Sequence, residues 1–206
     1  MCGIIGILCK LYGSKVFNKP LGEIIKESLI NLEYRGYDSV GFAIIDPFTR
    51  ELVIKKSKGK IREVERRLGF SEYDGTIAIG HTRWATHGKP SDINAHPHVD
   101  CTNTIAIVHN GIIHNYMELK KKLIAKGHVF KSETDTEVVP HLIEEYLKQG
   151  LSFLEALRKV VRELKGAYAL ALISIYEPDK IYFVRNVSPL IIGLSDKALF
   201  IASDIP

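Results

Sequence analysis

The chain contains 206 residues, of which 46% are hydrophobic and 25% are charged, which is typical of a soluble globular protein with one large domain or two small ones. Its 28 basic and 24 acidic side chains are interspersed and give a net charge of +4, so no nucleic-acid partner is indicated. No apolar run reaches the roughly 18 residues that a membrane helix needs. Because the N-terminus lacks a signal peptide and the three cysteines form neither an even disulfide set nor a CxxC pair, we expect a cytoplasmic protein.

In the first half of the chain, apolar runs predict strands and helical periodicity predicts two helices. Residues 2–9 are predicted to form a buried strand, and leucines and isoleucines at helical spacing after Pro20 predict the first helix. Further strands are predicted at 40–45, 51–56, 76–81 and 104–109, with a short helix that ends at Gly69. The segment 82–103 has no hydrophobic period, and loops of that length are usually functional.

The second half is predicted to contain three helices and then four strands. The helices cover about 115–126, 136–148 with Thr134 or Asp135 as N-cap, and 152–165 with a Ser-x-x-Glu capping box. Pro140 fits the second of these only near its first turn. The strands cover 167–175, 180–185, 190–194 and 198–202. Because strands and helices are grouped rather than alternating, we predict one α+β domain over residues 1–206 with antiparallel sheets.

Cys2 directly follows the initiator Met1. If Met1 is removed, a thiol and a free α-amine lie on one residue, and such an amine can act as the base that a nucleophilic thiol needs. With a pKa of about 7.8, it is well matched to proton transfer at neutral pH. The alternative is an ordinary small buried residue, as we expect for Cys9, whereas Cys101 is expected to be a loop thiol with no implied role.

Two charged residues could together hold the two charges of a free α-amino acid. Arg83 lies in the polar cluster 81–88, where an arginine can bind a carboxylate with two parallel hydrogen bonds. Asp135 lies at the start of a predicted helix, where it can bind an ammonium group or simply cap the helix. For Arg83 and Trp84 the alternative is a surface cation–π pair, and Thr86 and His87 could be ordinary loop residues.

Asn110 and Gly111 follow an apolar strand. Asparagine offers side-chain donors and glycine lets its backbone N–H approach a ligand closely, so the pair could form an oxyanion hole. Asn-Gly is also the commonest dipeptide of tight turns, and from the pair alone the turn is favoured.

The histidines suggest a metal site as a further alternative. His96 and His98 could supply ligands together with His81, His87 and His109. No pair has the HExxH spacing and an apolar strand separates the clusters, so we predict no metal and no organic cofactor.

Six motifs in order resemble the class II, or N-terminal nucleophile, glutamine amidotransferases, and among them the glutaminase domains of glucosamine-6-phosphate synthases. They are Met1–Gly6, Leu32–Gly41, His81–Gly88, Asn94–His98, His109–Ile113 and Ser132–Glu137. The resemblance covers essentially the whole chain. It implies a four-layer αββα sandwich with two antiparallel sheets, and hydrolysis of the side-chain amide of L-glutamine through a thioester.

The resemblance also implies a role for each site residue. Cys2 matches the nucleophile, while Asn110 and Gly111 match the oxyanion hole. The residues implied to bind substrate are Arg83 for the α-carboxylate, Thr86 and His87 beside it, Asp135 for the α-ammonium, and Trp84 in a loop that closes over glutamine. Arg35 matches a supporting residue near the nucleophile.

The resemblance further implies a longer enzyme that is homo-oligomeric. The sugar-phosphate isomerase domain, which would use the ammonia to convert fructose 6-phosphate to glucosamine 6-phosphate, is absent from this chain, and we expect it to be the partner of this domain. Three alternatives remain: a non-catalytic glutamine-binding or regulatory module, a metal-dependent hydrolase built on the histidines, and the glutaminase domain of another class II enzyme such as amidophosphoribosyltransferase.

Overall fold

A computed structural model of the chain describes residues 2–205. Within them, the structure contains ten strands and six α-helices. The strands are β1 (Gly3–Cys9), β2 (Ser39–Ile45), β3 (Leu52–Lys58), β4 (Ile77–Arg83), β5 (His98–Val99), β6 (Ile105–Ile113), β7 (Gly166–Ser174), β8 (Tyr182–Asn186), β9 (Ile191–Leu194) and β10 (Ala198–Ala202). The helices are α1 (Gly13–Phe17), α2 (Leu21–Leu32), α3 (Ile61–Leu68), α4 (Tyr116–Ala125), α5 (Val138–Lys148) and α6 (Phe153–Glu163). None of these helices is long and apolar enough to cross a membrane.

The strands form two antiparallel sheets. The six-stranded sheet has the order β3-β2-β4-β1-β10-β9, and the four-stranded sheet has the order β5-β6-β7-β8. Helices α2 and α3 pack on the outer face of the first sheet, and α4, α5 and α6 pack on the outer face of the second. A third apolar layer lies between the sheets. The predicted α+β class and four-layer αββα sandwich are therefore confirmed.

Side chains alternate along β1, so this one strand contributes to two apolar layers of the core. Ile5 and Ile7 belong to the layer under α2, whereas Ile4 belongs to the layer between the sheets. This follows from the two-residue period of a strand, which directs successive side chains to opposite faces. A strand buried on both faces needs a continuous apolar run, and residues 3–9 supply one.

Most predicted elements are confirmed, but the predicted N-cap of α5 is wrong, and α1 and β5 lie where no element was predicted. The capping box of Ser152 and Glu155 begins α6, and Gly69 ends α3 in the left-handed conformation with φ of 60°. Helix α5 begins at Val138 with Glu137 as N-cap, so neither Thr134 nor Asp135 caps it. The first turn of α5 contains Pro140, where no backbone N–H is needed.

The other correction concerns Asn110 and Gly111, which lie inside β6 rather than in a tight turn. Both pair with β7, and Gly111 faces Tyr168 in the register. Gly111 has a φ of 127°, and a Cβ at this position would lie 2.0 Å from the backbone oxygen of Ala167. The glycine is thus required by the close approach of two strands, not by a turn.

Candidate active site

A cavity of about 350 Å³ opens at the N-terminal end of β1. Eight of the predicted site residues line it: Cys2, Arg83, Trp84, Thr86, His87, Asn110, Gly111 and Asp135. A larger depression of about 640 Å³ lies at the other end of β1, beside Cys9. The smaller cavity gathers the predicted nucleophile with both charged residues, so it is the better candidate for chemistry.

The register of the sheets brings these residues together from distant parts of the chain. Strands β1 and β4 are antiparallel and Gly3 pairs with Thr82, so the start of β1 lies beside the end of β4. Cys2 and Arg83 therefore lie on neighbouring strand ends of one sheet, whereas Asn110 comes from β6 of the other sheet. The cavity thus lies where the two sheets meet.

Three hydrogen bonds hold the backbone of Cys2 in place. Its carbonyl oxygen accepts from Asn110 Nδ2 at 2.8 Å, from Arg35 Nε at 3.2 Å and from Ser203 Oγ at 3.4 Å. Arg35 Nη1 also pairs with Asp204 Oδ2 at 2.7 Å. Arg35 thus links the backbone of Cys2 to Asp204.

The thiol of Cys2 lies close to the backbone of Trp84. The Trp84 N–H donates to Sγ over 3.1 Å. Burial raises the pKa of the Cys2 thiol, although this hydrogen bond and the charge of Arg83 act in the opposite direction. A thiolate therefore needs a base at neutral pH. The predicted base depends on removal of Met1, which lies outside the described residues.

The side chain of Asn110 is oriented by His81. The Nε2 atom of His81 lies 3.0 Å from Asn110 Oδ1 and 3.0 Å from the backbone oxygen of His109. Both partners are acceptors, so Nε2 carries the proton and the amide nitrogen of Asn110 is directed towards Cys2. Burial lowers the pKa of His81 to about 3, so this histidine is a neutral donor at pH 7. From its sequence pattern His81 was considered only as a metal ligand, because nothing local indicates this contact with Asn110.

Arg83 is almost fully buried, with 4% of its surface exposed. Its Nη2 donates to the backbone oxygens of His87 and Gly88. Its Nη1 is buried and has no hydrogen-bond partner among residues 2–205. Buried donors are nearly always satisfied in native proteins, so this nitrogen is equipped to bind an acceptor on a ligand.

The buried carboxylate of Asp135 is tied to β6, because Oδ2 accepts from the N–H of Ile113 at 2.7 Å. The loop before α5 is fixed by Glu137, which accepts from the backbone N–H groups of Lys131 and Ser132 at 2.8 and 2.6 Å. Burial acts against the charge of Glu137, but these bonds and the neighbouring His141 outweigh it and lower its pKa to about 2. A permanently ionised anchor thus holds Asp135 at the cavity.

Residues 84–88 form the rim of the cavity. Trp84 is 48% exposed and its ring packs edge-on against Tyr37 at 5.5 Å between centroids. The ring of His87 packs against Tyr116 at 5.8 Å. The Ala85 N–H donates to Asp38 Oδ2 at 2.8 Å, which anchors the base of the rim. Asp38 was not singled out from the sequence, although it lies inside one of the six motifs.

The rings of His81, His96 and His98 pack against one another at 4.2 and 4.6 Å between centroids, but the nitrogen atoms of the histidines considered as metal ligands do not gather around one point. Among residues 2–205, the donor atoms that gather closely enough to hold an ion belong to Cys101, His128, His141 and Glu144. The structure therefore does not support the metal hydrolase alternative at the cavity. It does reveal a second polar cluster that the sequence analysis missed.

Comparisons with known proteins show the family of this chain. A sequence profile of the glutamine amidotransferase domain matches residues 81–206. The chain is similar to the glutamine–fructose-6-phosphate aminotransferase (isomerizing) of Pyrobaculum aerophilum, with 55% identity over 100% of this chain and 33% of the relative. The corresponding protein of Aeropyrum pernix is 55% identical over 100% of this chain and 32% of the relative. The chain thus spans about a third of the length of these curated relatives.

Solved structures have the same architecture. A glutamine phosphoribosylpyrophosphate amidotransferase from B. subtilis, solved with ADP and GMP, superposes with a TM-score of 0.81 and 28% sequence identity. The match covers 98% of this chain and 42% of that chain.

Proposed function

The chain belongs to the glutamine amidotransferase domain family, and we propose that it hydrolyses the side-chain amide of L-glutamine to glutamate and ammonia. The observation that carries the proposal is the unpartnered Nη1 of Arg83, on a residue that lines the same cavity as the Cys2 thiol and the Asp135 carboxylate. A free amino acid brings one α-carboxylate and one α-ammonium, for which Arg83 and Asp135 are complementary partners.

In the proposed reaction, Cys2 is the nucleophile and its own α-amine is the base. Removal of Met1 frees that amine, which takes the thiol proton while Sγ bonds to the amide carbon of glutamine. The amine then returns the proton to the leaving nitrogen, the C–N bond breaks and ammonia departs. Water adds to the resulting glutamyl thioester, the C–S bond breaks, and glutamate leaves with the thiol restored.

Asn110 and Gly111 are the proposed oxyanion hole. A carboxamide nitrogen carries two N–H donors, and the backbone oxygen of Cys2 accepts one of them. The second donor and the N–H of Gly111 would stabilise the negative charge that develops on the glutamine oxygen. His81 supports this role because it fixes which end of the Asn110 amide faces Cys2.

The remaining site residues have binding and positioning roles in this proposal. Thr86 and His87 lie beside Arg83 and bind the α-carboxylate side of glutamine. Trp84 lies at the rim and covers the bound substrate, which excludes water from the thioester until ammonia has left. Arg35 positions the nucleophile through the backbone oxygen of Cys2.

The names of the relatives point to the fate of the ammonia. We infer that this domain acts within a longer cytoplasmic enzyme whose sugar-phosphate isomerase domain accepts the ammonia and converts fructose 6-phosphate to glucosamine 6-phosphate. The length of the relatives supports this, since the chain spans about a third of them. The full-length enzyme is expected to be a homo-oligomer.

The direct test is glutamate formation from L-glutamine by the wild-type chain and by Cys2→Ala. Loss of the nucleophile is expected to lower kcat by roughly 10⁴-fold or more. The matched control is Cys9→Ala, which removes a buried thiol at the other end of β1 and should retain activity. Glutamine α-amide and N-acetylglutamine, which each lack one α-charge, are expected to be poor substrates. Wild-type turnover by Cys2→Ala would refute the proposal.

A further inference from the structure

A second polar cluster lies among the helices of the four-stranded sheet, away from the cavity. We define it as the Cys101 cluster: Cys101, His128, His141 and Glu144. Cys101 lies in the turn before β6 and His128 in the turn after α4, while the other two lie three residues apart on α5. Three separate segments of the chain thus meet at one point.

The donor atoms of the cluster converge closely. The two Nδ1 atoms of His128 and His141 lie 3.2 Å apart. Cys101 Sγ lies 3.6 and 3.4 Å from them, respectively. Glu144 Oε2 lies 3.2 Å from His128 Nδ1 and 3.5 Å from His141 Nδ1. All four atoms lie within 4.8 Å of one another.

Five of the six separations match the edges of a coordination tetrahedron, and the sixth, between Cys101 Sγ and Glu144 Oε2, is at most 4.8 Å. With a Zn–N or Zn–O distance near 2.05 Å and a Zn–S distance near 2.3 Å, tetrahedral angles place neighbouring ligand atoms about 3.3 to 3.6 Å apart. The five measured separations run from 3.2 to 3.6 Å. The two separations that involve sulfur, 3.6 and 3.4 Å, include the longest of the five, and the longer Zn–S bond accounts for that value.

The other nitrogen of each imidazole faces a carboxylate. His128 Nε2 lies 3.3 Å from Glu145 Oε2, and His141 Nε2 lies 3.7 Å from Glu137 Oε1. A histidine that binds a metal through one nitrogen usually directs the N–H of the other to a carboxylate, which fixes the tautomer. At 3.7 Å the second pair is too long for a hydrogen bond, and His141 Nε2 has no hydrogen-bond partner among residues 2–205. With the proton on Nε2 of each ring, the two Nδ1 atoms face each other as lone pairs.

Four potential ligand atoms meet at the centre of the cluster, and Glu144 is held there because Oε2 accepts from the Cys101 N–H at 3.1 Å and Oε1 pairs with Lys148 Nζ at 2.7 Å. Two imidazole lone pairs, a carboxylate oxygen and a sulfur face one another, and the side chains of His128, His141 and Glu144 are at most 7% exposed. Buried groups of this kind are unfavourable unless a proton or a metal satisfies them.

We propose that the Cys101 cluster is a structural site for Zn²⁺. On binding, the Cys101 thiol releases its proton to solvent, both imidazoles bind as neutral ligands through Nδ1, and the thiolate and the Glu144 carboxylate neutralise the two charges of the ion. Thiolate and imidazole ligands favour zinc over magnesium or calcium. Four protein ligands close the coordination sphere, which is typical of a structural rather than a catalytic site.

The site would join the helical layer to the substrate-binding loop. His141 faces Glu137, and Glu137 holds the backbone of the loop that carries Asp135. The ion would thus stabilise the turn before β6, the turn after α4 and the start of α5 together. This role does not depend on the proposed glutaminase chemistry.

The first experiment measures metal content. The chain is purified without added metal, dialysed, and analysed for bound metal, and it is then stripped with a chelator and titrated with Co²⁺ as a spectroscopic probe. We expect one Zn²⁺ per chain and, with Co²⁺, a thiolate-to-cobalt charge-transfer band with tetrahedral d–d bands. The Cys2→Ala background removes the N-terminal thiol as a competing ligand. Absence of stoichiometric zinc together with a cobalt spectrum that lacks the thiolate band would overturn the proposal, whatever the variants show.

Matched variants then assign the ligands. Cys101→Ser is expected to lose the charge-transfer band, whereas Cys9→Ser keeps it. His141→Ala is expected to lose stoichiometric zinc, whereas His114→Ala, which changes an exposed histidine, retains it. Glu145→Gln should weaken zinc affinity about 10- to 100-fold by removing the partner of His128 Nε2. Unchanged zinc affinity in both Cys101→Ser and His141→Ala would mean that the ion binds elsewhere, and would contradict the assignment.

Discussion

Two clusters of buried histidines differ in where their ring nitrogens point. Under the cavity, each histidine contacts a different protein group: His81 contacts Asn110 Oδ1, His96 contacts the backbone N–H of His109, His98 contacts Thr134 Oγ1, and His109 contacts Thr136 Oγ1. In the Cys101 cluster, two nitrogens instead converge to 3.2 Å beside a thiol and a carboxylate. A metal site therefore depends on convergent lone pairs rather than on the number of buried histidines.

The two regions are also suited to ligand groups of opposite charge. The histidines under the cavity are kept neutral by burial, which lowers their pKa values, and they orient side chains that face a ligand. The cavity itself leaves a cationic donor on Arg83 unpartnered among residues 2–205, so it is suited to an anionic group. The Cys101 cluster gathers acceptors, so it is suited to a cation.

Among the variants that compare the two regions, we expect the largest effect from a change of Asn110, which His81 orients. Asn110→Ala removes the side-chain donor of the oxyanion hole and should lower kcat about 10²- to 10³-fold with little change in KM. The measurement is steady-state glutamate formation. Asn31→Ala, an exposed asparagine on α2, is the control and should keep kcat. A normal kcat in Asn110→Ala would remove Asn110 from the oxyanion hole.

A smaller effect is expected from a change of Arg83, the cationic residue of the cavity. Arg83→Lys retains the charge but loses the planar fork that bonds two backbone oxygens and a carboxylate together. A lost charge-assisted bond of about 1.5 to 3 kcal/mol corresponds to a rise in KM of about 10- to 150-fold. The exposed Arg185→Lys on β8 should leave KM unchanged. A fall in kcat with KM preserved would contradict a substrate-binding role for Arg83.

In the other cluster, the expected effect is on stability rather than on turnover. At a Zn²⁺ concentration about 100 times its Kd, binding would stabilise the fold by about 2.7 kcal/mol. This raises Tm by about 5 to 10 °C for a chain of this size. Calorimetry of the zinc-loaded and chelator-treated chain measures the shift, and Cys101→Ser should abolish it. Equal Tm values with and without zinc would contradict a structural role.

The smallest effect is expected from one histidine under the cavity. Burial lowers the pKa of His98 well below its usual value of 6.5, so the unfolded chain binds a proton at this residue that the folded chain does not. The stability from this group is complete above about pH 6.5 and is lost as pH falls, by up to about 1.4 kcal/mol per pH unit.

Denaturant unfolding between pH 7 and pH 5 measures that dependence, with a chelator present so that metal release does not contribute. His98→Gln should make the loss of stability with falling pH shallower by about this amount. The matched control His114→Ala should retain the wild-type slope. An unchanged slope in His98→Gln would show that His98 does not titrate in this range.

Local signals in the sequence predicted most of the fold. The apolar stripe and capping box of residues 152–165 predicted α6, and apolar runs bounded by turn residues predicted every strand except β5, which lies in the segment expected to be a loop. The errors arose where tertiary contacts override local preference. Asn110 and Gly111 form a common turn dipeptide, yet pairing with β7 keeps them in a strand. Asp135 is a good helix cap, yet its carboxylate bonds to the N–H of Ile113 instead.

The two regions were unequally predictable for a physical reason. Cavity residues such as Arg83 lie in compact motifs. The charges of Arg83 and Asp135 are complementary to those of a free amino acid, so the two motifs that contain them could be related from the sequence. The ligands of the Cys101 cluster lie 27, 13 and 3 residues apart, because packing of α5 against two turns brings them together. The one local signal is the pair His141 and Glu144, which share a helix face at i,i+3.

The central claim is that Cys2, freed by loss of Met1, is the nucleophile. The most direct measurement is the mass spectrum of the N-terminal peptide from active protein that is acid-quenched during turnover of L-glutamine. We predict that this peptide begins at Cys2 and that a fraction carries an adduct equal in mass to glutamine minus ammonia. Fully active protein that retains Met1, or an adduct on another residue, would contradict the account.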